Sequence, residues 1–160
     1  MFIGTFEHNL DGKNRVFLPA RFRKELGDDF IYTLNTSKYP SIQLYHADTF
    51  NKVREESLMR ARTEVEKRNI RAKYHMGTDI ANCDAQGRFV LSHMVTTLAG
   101  IEKACIFVGF GDYVEVMSPA NFRKYLESLA ASNAADEQAL EDEAEVYRKY
   151  QSEGKFLNLG

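Results

Sequence analysis

Two short segments, residues 11–15 and 84–88, carry the side chains best suited to chemistry. Each begins with Asp and ends with Arg in the spacing Asp-x-x-x-Arg. Arginine presents a planar fork of donors that fits guanine edges and phosphate oxygens. An Asp carboxylate can accept hydrogen bonds from backbone amides two or three residues later and so start a tight turn. The spacing therefore favours the binding of nucleic acid by arginines held on rigid turns.

The remaining residues form no recognisable catalytic constellation. The sequence contains no nucleophile motif, no phosphate-binding glycine loop and no paired carboxylates. The histidines are scattered, and Cys83 and Cys105 lie outside any Cys-x-x-Cys spacing. We therefore expect no enzyme, no cofactor, no metal site and no small-molecule substrate. Both cysteines are expected to be reduced, with Cys105 buried and Cys83 partly exposed.

Charge is distributed unevenly along the chain, although the net charge is only −2. Residues 1–24 carry a local charge of +3 and residues 51–75 one of +4, whereas residues 120–153 carry −4. Basic segments on a nearly neutral chain are compatible with nucleic-acid binding, with the acidic part turned away. No apolar stretch reaches the roughly 20 residues of a membrane span, and no signal peptide is visible. We expect a cytoplasmic protein without a membrane partner.

The two Asp-x-x-x-Arg segments belong to a longer internal repeat. At an offset of 73 residues, seven identical pairs recur. They are Gly4/Gly77, Thr5/Thr78, Asn9/Asn82, Asp11/Asp84, Arg15/Arg88, Leu18/Leu91 and Gly27/Gly100. A single match at a given offset is common by chance, but this series indicates two halves of about 75 residues, followed by a tail.

A β-hairpin is predicted around each Asp turn, because a strand-like segment precedes and follows it. The predicted strands are 3–9 and 15–18 in the first half and 76–82 and 88–91 in the second. Asn14 and Gly87 share one column of the repeat and are the residue types that best tolerate positive φ. A turn that needs positive φ at this column is therefore predicted in both halves.

Helices and further strands complete each half. Pro19 and Gly27 are suited to begin and end a short helix, and Ser92 is suited to cap its counterpart. Thr63-x-x-Glu66 matches a capping box, which predicts two helices over 48–74 separated near Arg62. The other predicted elements are strands at 30–34, 41–45, 104–108 and 113–117, a helix from about residue 120, and an amphipathic helix over 134–150.

These motifs resemble those of a known family. The segments are Met1-Phe2-x-Gly4, Asp11-x-Lys13-Asn14-Arg15-x-x-x-Pro19-Ala20-x-Phe22-Arg23 and Asp84-x-x-Gly87-Arg88. Over residues 1–125 the chain is similar to the MraZ proteins, bacterial relatives of the AbrB and SpoVT transition-state regulators. Asn14 stands where the family often has Gly, and Ser92 replaces a second Pro. Neither departure removes a charged group.

The resemblance implies an α+β fold, mainly β with helices. It is a double-split β-barrel of the AbrB-like swapped-hairpin type, in which two tandem repeats form an intramolecular pseudo-dimer. We accordingly expect a first repeat over 1–62, a connecting helix over 63–75, a second repeat over 76–131 and a helical acidic tail over 132–160. The resemblance further implies a ring-like homo-oligomer, associated with the nucleoid, that binds double-stranded promoter DNA. It would repress a division and cell-wall operon that includes its own gene, binding repeated promoter boxes through the tips of its Asp-x-x-x-Arg hairpins.

The residues of the two turns are the expected DNA contacts. They are Lys13, Asn14, Arg15, Gln86 and Arg88, supported by Asp11, Asp84 and Gly87, with Arg21 and Arg23 as candidate phosphate contacts. In the alternative interpretation, each Asp–Arg pair is only an ion pair internal to its turn, and the first helix, which carries Arg21 and Arg23, presents a solvated basic face. The basic run over 67–73 either adds to the DNA face or pairs with acidic tails of neighbouring chains. A protein-interaction or ring-scaffold module, built on the same barrel, is the alternative function.

Overall fold

The computed structural model describes residues 1–152, apart from the side chains of residues 150 and 151. In this part of the chain the strands are β1 (Thr5–Asn9), β2 (Arg15–Phe17), β3 (Asp29–Asn35), β4 (Ser41–Tyr45), β5 (Thr78–Asn82), β6 (Arg88–Val90), β7 (Ala104–Gly109) and β8 (Val114–Met117). The helices are α1 (Ala20–Leu26), α2 (Ala47–Arg60), α3 (Glu64–His75), α4 (His93–Leu98) and α5 (Pro119–Ser152). The strands lie in one unit, Met1–Phe122, and a second unit begins at Arg123. The predicted α+β class is confirmed.

Strand pairing follows a two-fold pattern between the repeats. The described strands form a six-stranded antiparallel sheet in the order β1-β7-β8-β4-β3-β5 and a separate two-stranded sheet of β2 and β6. Strands β5–β8 of the second repeat correspond to β1–β4 of the first. Replacing each strand by its counterpart gives the same strand order read from the other edge of the large sheet, so the sheet has a pseudo-two-fold axis. The axis passes between β4 and β8, where Gln43 lies opposite Glu115. The two repeats thus form a pseudo-dimer within one chain.

The prediction that the first two strands of each half pair with each other is wrong. β1 pairs with β7 in the large sheet, whereas β2 pairs with β6. Only the turn is local: Asp11 N donates to Arg15 O at 2.8 Å, and Asn14 N donates to Asp11 O at 3.1 Å. Pairing β2 with β6 places Val16 opposite Phe89, each 1% exposed. Alternating polarity predicts a strand but not its partner, and burial of apolar surface between the repeats stabilises the exchanged pairing.

Most residues with special backbone roles lie where the sequence predicts them. Asn14 has φ 58° and Gly87 has φ 81°, so both occupy the left-handed region. Ser92 and Thr63 each accept a backbone N–H three residues later and cap α4 and α3. Pro19 is the N-cap of α1 instead of its first helical residue. These features depend on a few neighbouring residues, which is why local sequence predicts them.

One apolar core joins the two repeats. The ring of Phe89 on β6 lies 5.1 Å from Phe30 on β3 and 6.5 Å from Phe107 on β7, measured between centroids. Phe22 of α1 packs edge-on against Phe6 of β1 at 5.3 Å. Other core side chains, at most 2% exposed, are Leu26, Ile42, Leu44, Leu91, Val95, Cys105, Val114 and Val116. Both repeats fill this core, so the position of each turn depends on the other repeat.

The C-terminal helix is continuous. α5 runs from Pro119 to Ser152, where the sequence predicts one helix from about residue 120 and another over 134–150. Ser118 Oγ accepts the Asn121 N–H at 3.1 Å and caps its start. The end of the predicted acidic tail, residues 153–160, lies outside the described residues. None of the described helices combines the length and apolar character that crossing a membrane requires.

Candidate nucleic-acid interface

The first candidate turn is held by one carboxylate. Asp11 Oδ1 accepts the backbone N–H groups of Lys13 and Arg15, both at 2.9 Å. Its Oδ2 accepts the Arg15 Nε–H at 2.6 Å. These bonds, above all the one from the backbone N–H of Arg15, lower the pKa of Asp11 to about 2. The carboxylate therefore stays ionised at neutral pH and holds the turn that precedes Arg15.

The second turn repeats this arrangement. Asp84 Oδ1 accepts the backbone N–H groups of Gln86 and Arg88, both at 2.9 Å, and Oδ2 accepts the Arg88 Nε–H at 2.9 Å. The bond from the backbone N–H of Arg88 contributes most to a pKa of Asp84 below its usual value. Sequence-equivalent residues thus make equivalent bonds in the two turns.

The ion pairs of the alternative interpretation are present in both turns. The side chains of Arg15 and Arg88 are 31% and 24% exposed. Each pair uses Nε, whereas a guanidinium carries further N–H donors on its terminal nitrogens. Ion pairs of this exposure contribute little to folding. Their main effect is to restrict the direction of the guanidinium, which is compatible with ligand binding by the same arginines.

β2 and β6 form a short ribbon that carries both arginines. Arg15 lies opposite Val90, and Phe17 lies opposite Arg88. These four side chains share the outer face, because residues alternate along a strand and the intervening pair is buried. Phe17 is 46% and Val90 55% exposed. Arg15 and Arg88 are diagonal neighbours, with Cα atoms on the order of 7–8 Å apart.

The two turns lie at opposite ends of this ribbon. Leu91 N donates to Asn14 O at 3.1 Å, and Leu18 N donates to Gly87 O at 2.9 Å. Each strand is therefore tied to the turn of the other repeat. The exposed apices of the turns carry Lys13 and Gln86. Together, the ribbon and its two turns present polar and basic groups along one continuous stretch of surface.

The two candidate phosphate contacts on α1 have different surroundings. Arg23 Nε donates to Asp28 Oδ1 at 2.9 Å, and this bond raises the pKa of Arg23. A Cβ at Gly87 would lie 2.9 Å from Arg23 Nη1. Arg21 lies over the Phe6 ring, 5.6 Å from its centroid. The structure thus places Arg23 beside the second turn and Arg21 against β1.

Three residues at or beneath this site have no role in the sequence-based prediction. Phe17 and Val90 share the outer face with the arginines, and Thr96 Oγ1 accepts the Asn14 Nδ2–H at 3.2 Å. Alternation around the buried position of β2 and β6 is a signal that could identify the first two. Thr96 lies 82 residues from Asn14, and no local pattern connects them.

Metal-binding side chains do not converge in residues 1–152. No group of three or more His, Cys, Asp or Glu side chains there is placed to hold a metal ion. Cys83 and Cys105 are free, and Cys105 is buried as predicted. Burial raises the pKa of both thiols, that of Cys105 to about 12. Both are therefore protonated at neutral pH and poorly suited to bind a metal.

The basic run on α3 has mixed surroundings. Lys67 Nζ pairs with Glu64 at 3.2 Å, and Lys73 Nζ lies 5.5 Å from the Tyr74 ring centroid. Arg68 and Arg71 are exposed. These contacts are compatible with a DNA face and equally with pairing to acidic tails.

We expect Asn14→Gly to lower the free energy of unfolding by about 1 kcal/mol. The positive φ of Asn14, taken alone, would predict no loss of stability on this change, because glycine also adopts positive φ. Asn14 Nδ2 donates to Leu91 O at 2.8 Å and to Thr96 Oγ1, and glycine removes both bonds. Asn14→Val should cost more, about 2–3 kcal/mol, because a β-branched residue also resists φ 58°. Thermal and urea unfolding of the two variants would measure this order. Equal stability of parent and Asn14→Gly would contradict a role for these bonds.

Comparison with known proteins shows a family match over most of the chain. The family model described as "MraZ protein, putative antitoxin-like" matches residues 1–72 and again residues 75–143. The two matches cover the two repeats, each with one Asp-x-x-x-Arg turn.

Individual relatives agree with the family model. The transcriptional regulator MraZ of Mycolicibacterium smegmatis is 32% identical over 143 residues, covering 89% of this chain and 99% of that protein. The transcriptional regulator MraZ of Thermomicrobium roseum is 31% identical over 140 residues, covering 88% of this chain and 97% of that protein. That of Leuconostoc mesenteroides is 32% identical over 130 residues, covering 81% and 90%. With its duplicated turns and exchanged strands, the chain belongs to the MraZ family.

Proposed function

We propose that this protein is a transcriptional regulator that binds double-stranded promoter DNA in a sequence-specific manner. The observation that carries the proposal is the outer face of the β2–β6 ribbon, where Arg15 and Arg88 lie as diagonal neighbours. An acidic residue orients each guanidinium. The names of the relatives, each a transcriptional regulator, support the same function.

The proposed contacts follow from the chemistry of each side chain. The major groove admits a two-stranded β-ribbon, and arginine can donate two hydrogen bonds to a guanine edge. Arg15 and Arg88 would make these base contacts. Lys13 at the first apex suits a phosphate, whereas Gln86 at the second suits an adenine edge or a phosphate. Asn14 is a further candidate contact, whereas Asp11, Asp84 and Gly87 would hold the shape of the turns.

The wider setting of this function is proposed from the family resemblance. We place the protein in the cytoplasm, at the nucleoid, as a ring-like homo-oligomer that represses its own division and cell-wall operon. The two repeats, 1–62 and 76–131, would each supply one turn to the DNA face. The connecting helix, 63–75, and the acidic tail, 132–160, would lie outside the base contacts.

A protein-interaction module is the second candidate, and one observation favours it. Phe17 and Val90 expose apolar surface on the same ribbon face as the arginines. Aromatic and arginine side chains are enriched where proteins bind one another. An antitoxin-like protein partner or a ring scaffold would use this face without contacting DNA bases.

Salt dependence distinguishes the two candidates. We expect the protein to bind its own upstream DNA with a slope of log K against log salt of about −2 or steeper, because each neutralised phosphate contributes about −0.9. Gel shift or fluorescence anisotropy between about 50 and 200 mM salt would measure the slope. A fragment of equal length with shuffled sequence is the control and should bind more weakly. A flat slope, or equal binding to both fragments, would contradict the proposed function.

A further inference from the structure

Each candidate turn is supported by a helix of the other repeat. Thr96 of α4 contacts Asn14 in the first turn, with Oγ1 3.2 Å from Nδ2. Arg23 of α1 lies against Gly87 in the second turn. At the offset of 73, Arg23 is the counterpart of Thr96, and Asn14 is the counterpart of Gly87. The same two positions of the repeat therefore meet at both turns, but with different side chains.

Arg23 is restrained by contacts on both sides of the second turn. Its Nε–H is bonded to Asp28 Oδ1 at 2.9 Å, and its side chain is 34% exposed. The carbonyl of Asp28 accepts the Cys83 N–H at 2.8 Å, one residue before Asp84. Arg23 and Asp28 thus contact the turn near its beginning and again at Gly87. The negative charge of Asp84 adds to that of Asp28 in raising the pKa of Arg23.

The first turn keeps the equivalent backbone bond, because Leu10 N donates to Lys103 O at 2.8 Å, and Asn14 Nδ2 donates to Leu91 O and Thr96 Oγ1. Among the described residues, no ion pair like that of Arg23 and Asp28 lies beside it. Thr96 occupies the position that Arg23 has at the second turn, and a groove of about 380 Å³ lies beside Asn14 and Thr96. Asn14, His93, Thr96, Thr97, Gly100, Ile101 and Glu102 line this groove. The two turns therefore share the hydrogen bonds of Asp11 and Asp84 but differ in the side chains packed against them, which are Asn14 and Thr96 at the first turn and Arg23 at the second.

We propose that Arg23 is a positioning residue for the second turn: its planar guanidinium, packed on Gly87 and bonded to Asp28, restricts the direction of Arg88. This inference rests on the proposed function, in which Arg88 contacts DNA. Its place in the structure favours positioning over a direct phosphate contact, since Nε is already bonded and Nη1 lies against the turn. Arg23 then affects DNA binding through the second turn and not through the first.

A double-mutant cycle tests the inference, because residues that act through one another show non-additive effects. We expect Arg23→Thr to weaken binding to the upstream fragment on the order of fivefold in the parent protein. The same factor is expected in the Arg15→Ala background, whose turn Arg23 does not contact. In the Arg88→Ala background, Arg23→Thr should cause no further loss. Lys24→Thr, which removes one exposed charge from the same helix, is the matched control and should not show this dependence on Arg88.

Arg23→Lys and the salt slope separate positioning from a phosphate contact. Lysine keeps the charge but lacks the planar fork, so positioning predicts a loss similar to that of Arg23→Thr and an unchanged salt slope. A phosphate contact predicts that Arg23→Lys retains binding and that Arg23→Thr reduces the slope by about one. Because lysine can keep the exposed ion pair with Asp28, this variant also tests the inference if Arg23→Thr unfolds more easily.

The outcomes distinguish this inference from the proposed function. If Arg88→Ala itself leaves specific binding unchanged, the proposed function fails. If Arg88→Ala weakens binding and Arg23→Thr adds its full effect in that background, or has no effect in the parent, the positioning role alone is overturned. The positioning role is supported if Arg23→Thr weakens DNA binding in the parent and in the Arg15→Ala background, but not in the Arg88→Ala background.

Discussion

Arg15→Ala and Arg88→Ala are each expected to cost about 1–3 kcal/mol of specific DNA-binding free energy while leaving the fold intact. Both guanidinium groups lie on the exposed face of the ribbon, and the buried pair beneath them, Val16 and Phe89, is unchanged. Truncation removes a donor fork that the turn has already oriented, so the loss appears in binding and not in folding. Fluorescence anisotropy at one fixed salt concentration, with the upstream fragment and its shuffled control, would measure it.

Two controls separate base recognition from simple charge loss. Arg60→Ala removes one exposed charge at the end of α2 and should have a small effect on both fragments. Arg15→Ala also leaves Asp11 without its arginine partner, and its charge would then repel DNA. Combining Asp11→Asn with Arg15→Ala removes that repulsion, and specific binding should remain weak. A folded Arg15→Ala/Arg88→Ala double variant with parental affinity would overturn the assignment of both residues.

Disrupting the spacing between repeated promoter boxes is expected to lower affinity by roughly 10²–10⁴-fold. One chain presents only two arginine turns, few for the roughly 10⁻⁸ M or tighter affinity of specific regulators. A ring-like oligomer, as proposed, would engage several boxes together and raise the apparent affinity without any new type of contact. The pseudo-two-fold axis already lies within the chain, so a head-to-tail interface can close a ring and favours boxes in direct repeat.

DNA fragments with altered spacers measure this effect. Inserting about 5 base pairs between intact boxes turns one box to the opposite side of the helix, whereas about 10 base pairs restores its face. The shorter insertion should cause the larger loss, and a single isolated box should bind poorly. Light scattering would report the oligomeric state under the same conditions. A monomer with full affinity for one box would rule out multivalent binding.

Much of the local structure could be predicted from the sequence alone. The offset of 73 identified both turns, and the Asp and Arg at their ends make the same bonds in each. Positive φ at Asn14 and the cap formed by Ser92 followed from residue type. These features depend on steric limits and hydrogen bonds among residues no more than about four positions apart. Neighbouring sequence contains the information for such interactions.

The strand partners and the surroundings of the arginines required the complete fold. The sequence predicted a strand over residues 15–18, but it could not show that Val16 would lie opposite Phe89 of the other repeat. Nor could it place Arg23 against Gly87. A strand of three residues has a defined buried face, but it could pair with the edge of several other strands. The choice among them depends on how much apolar surface both repeats bury in one core, which is a property of the assembled chain and of no single segment.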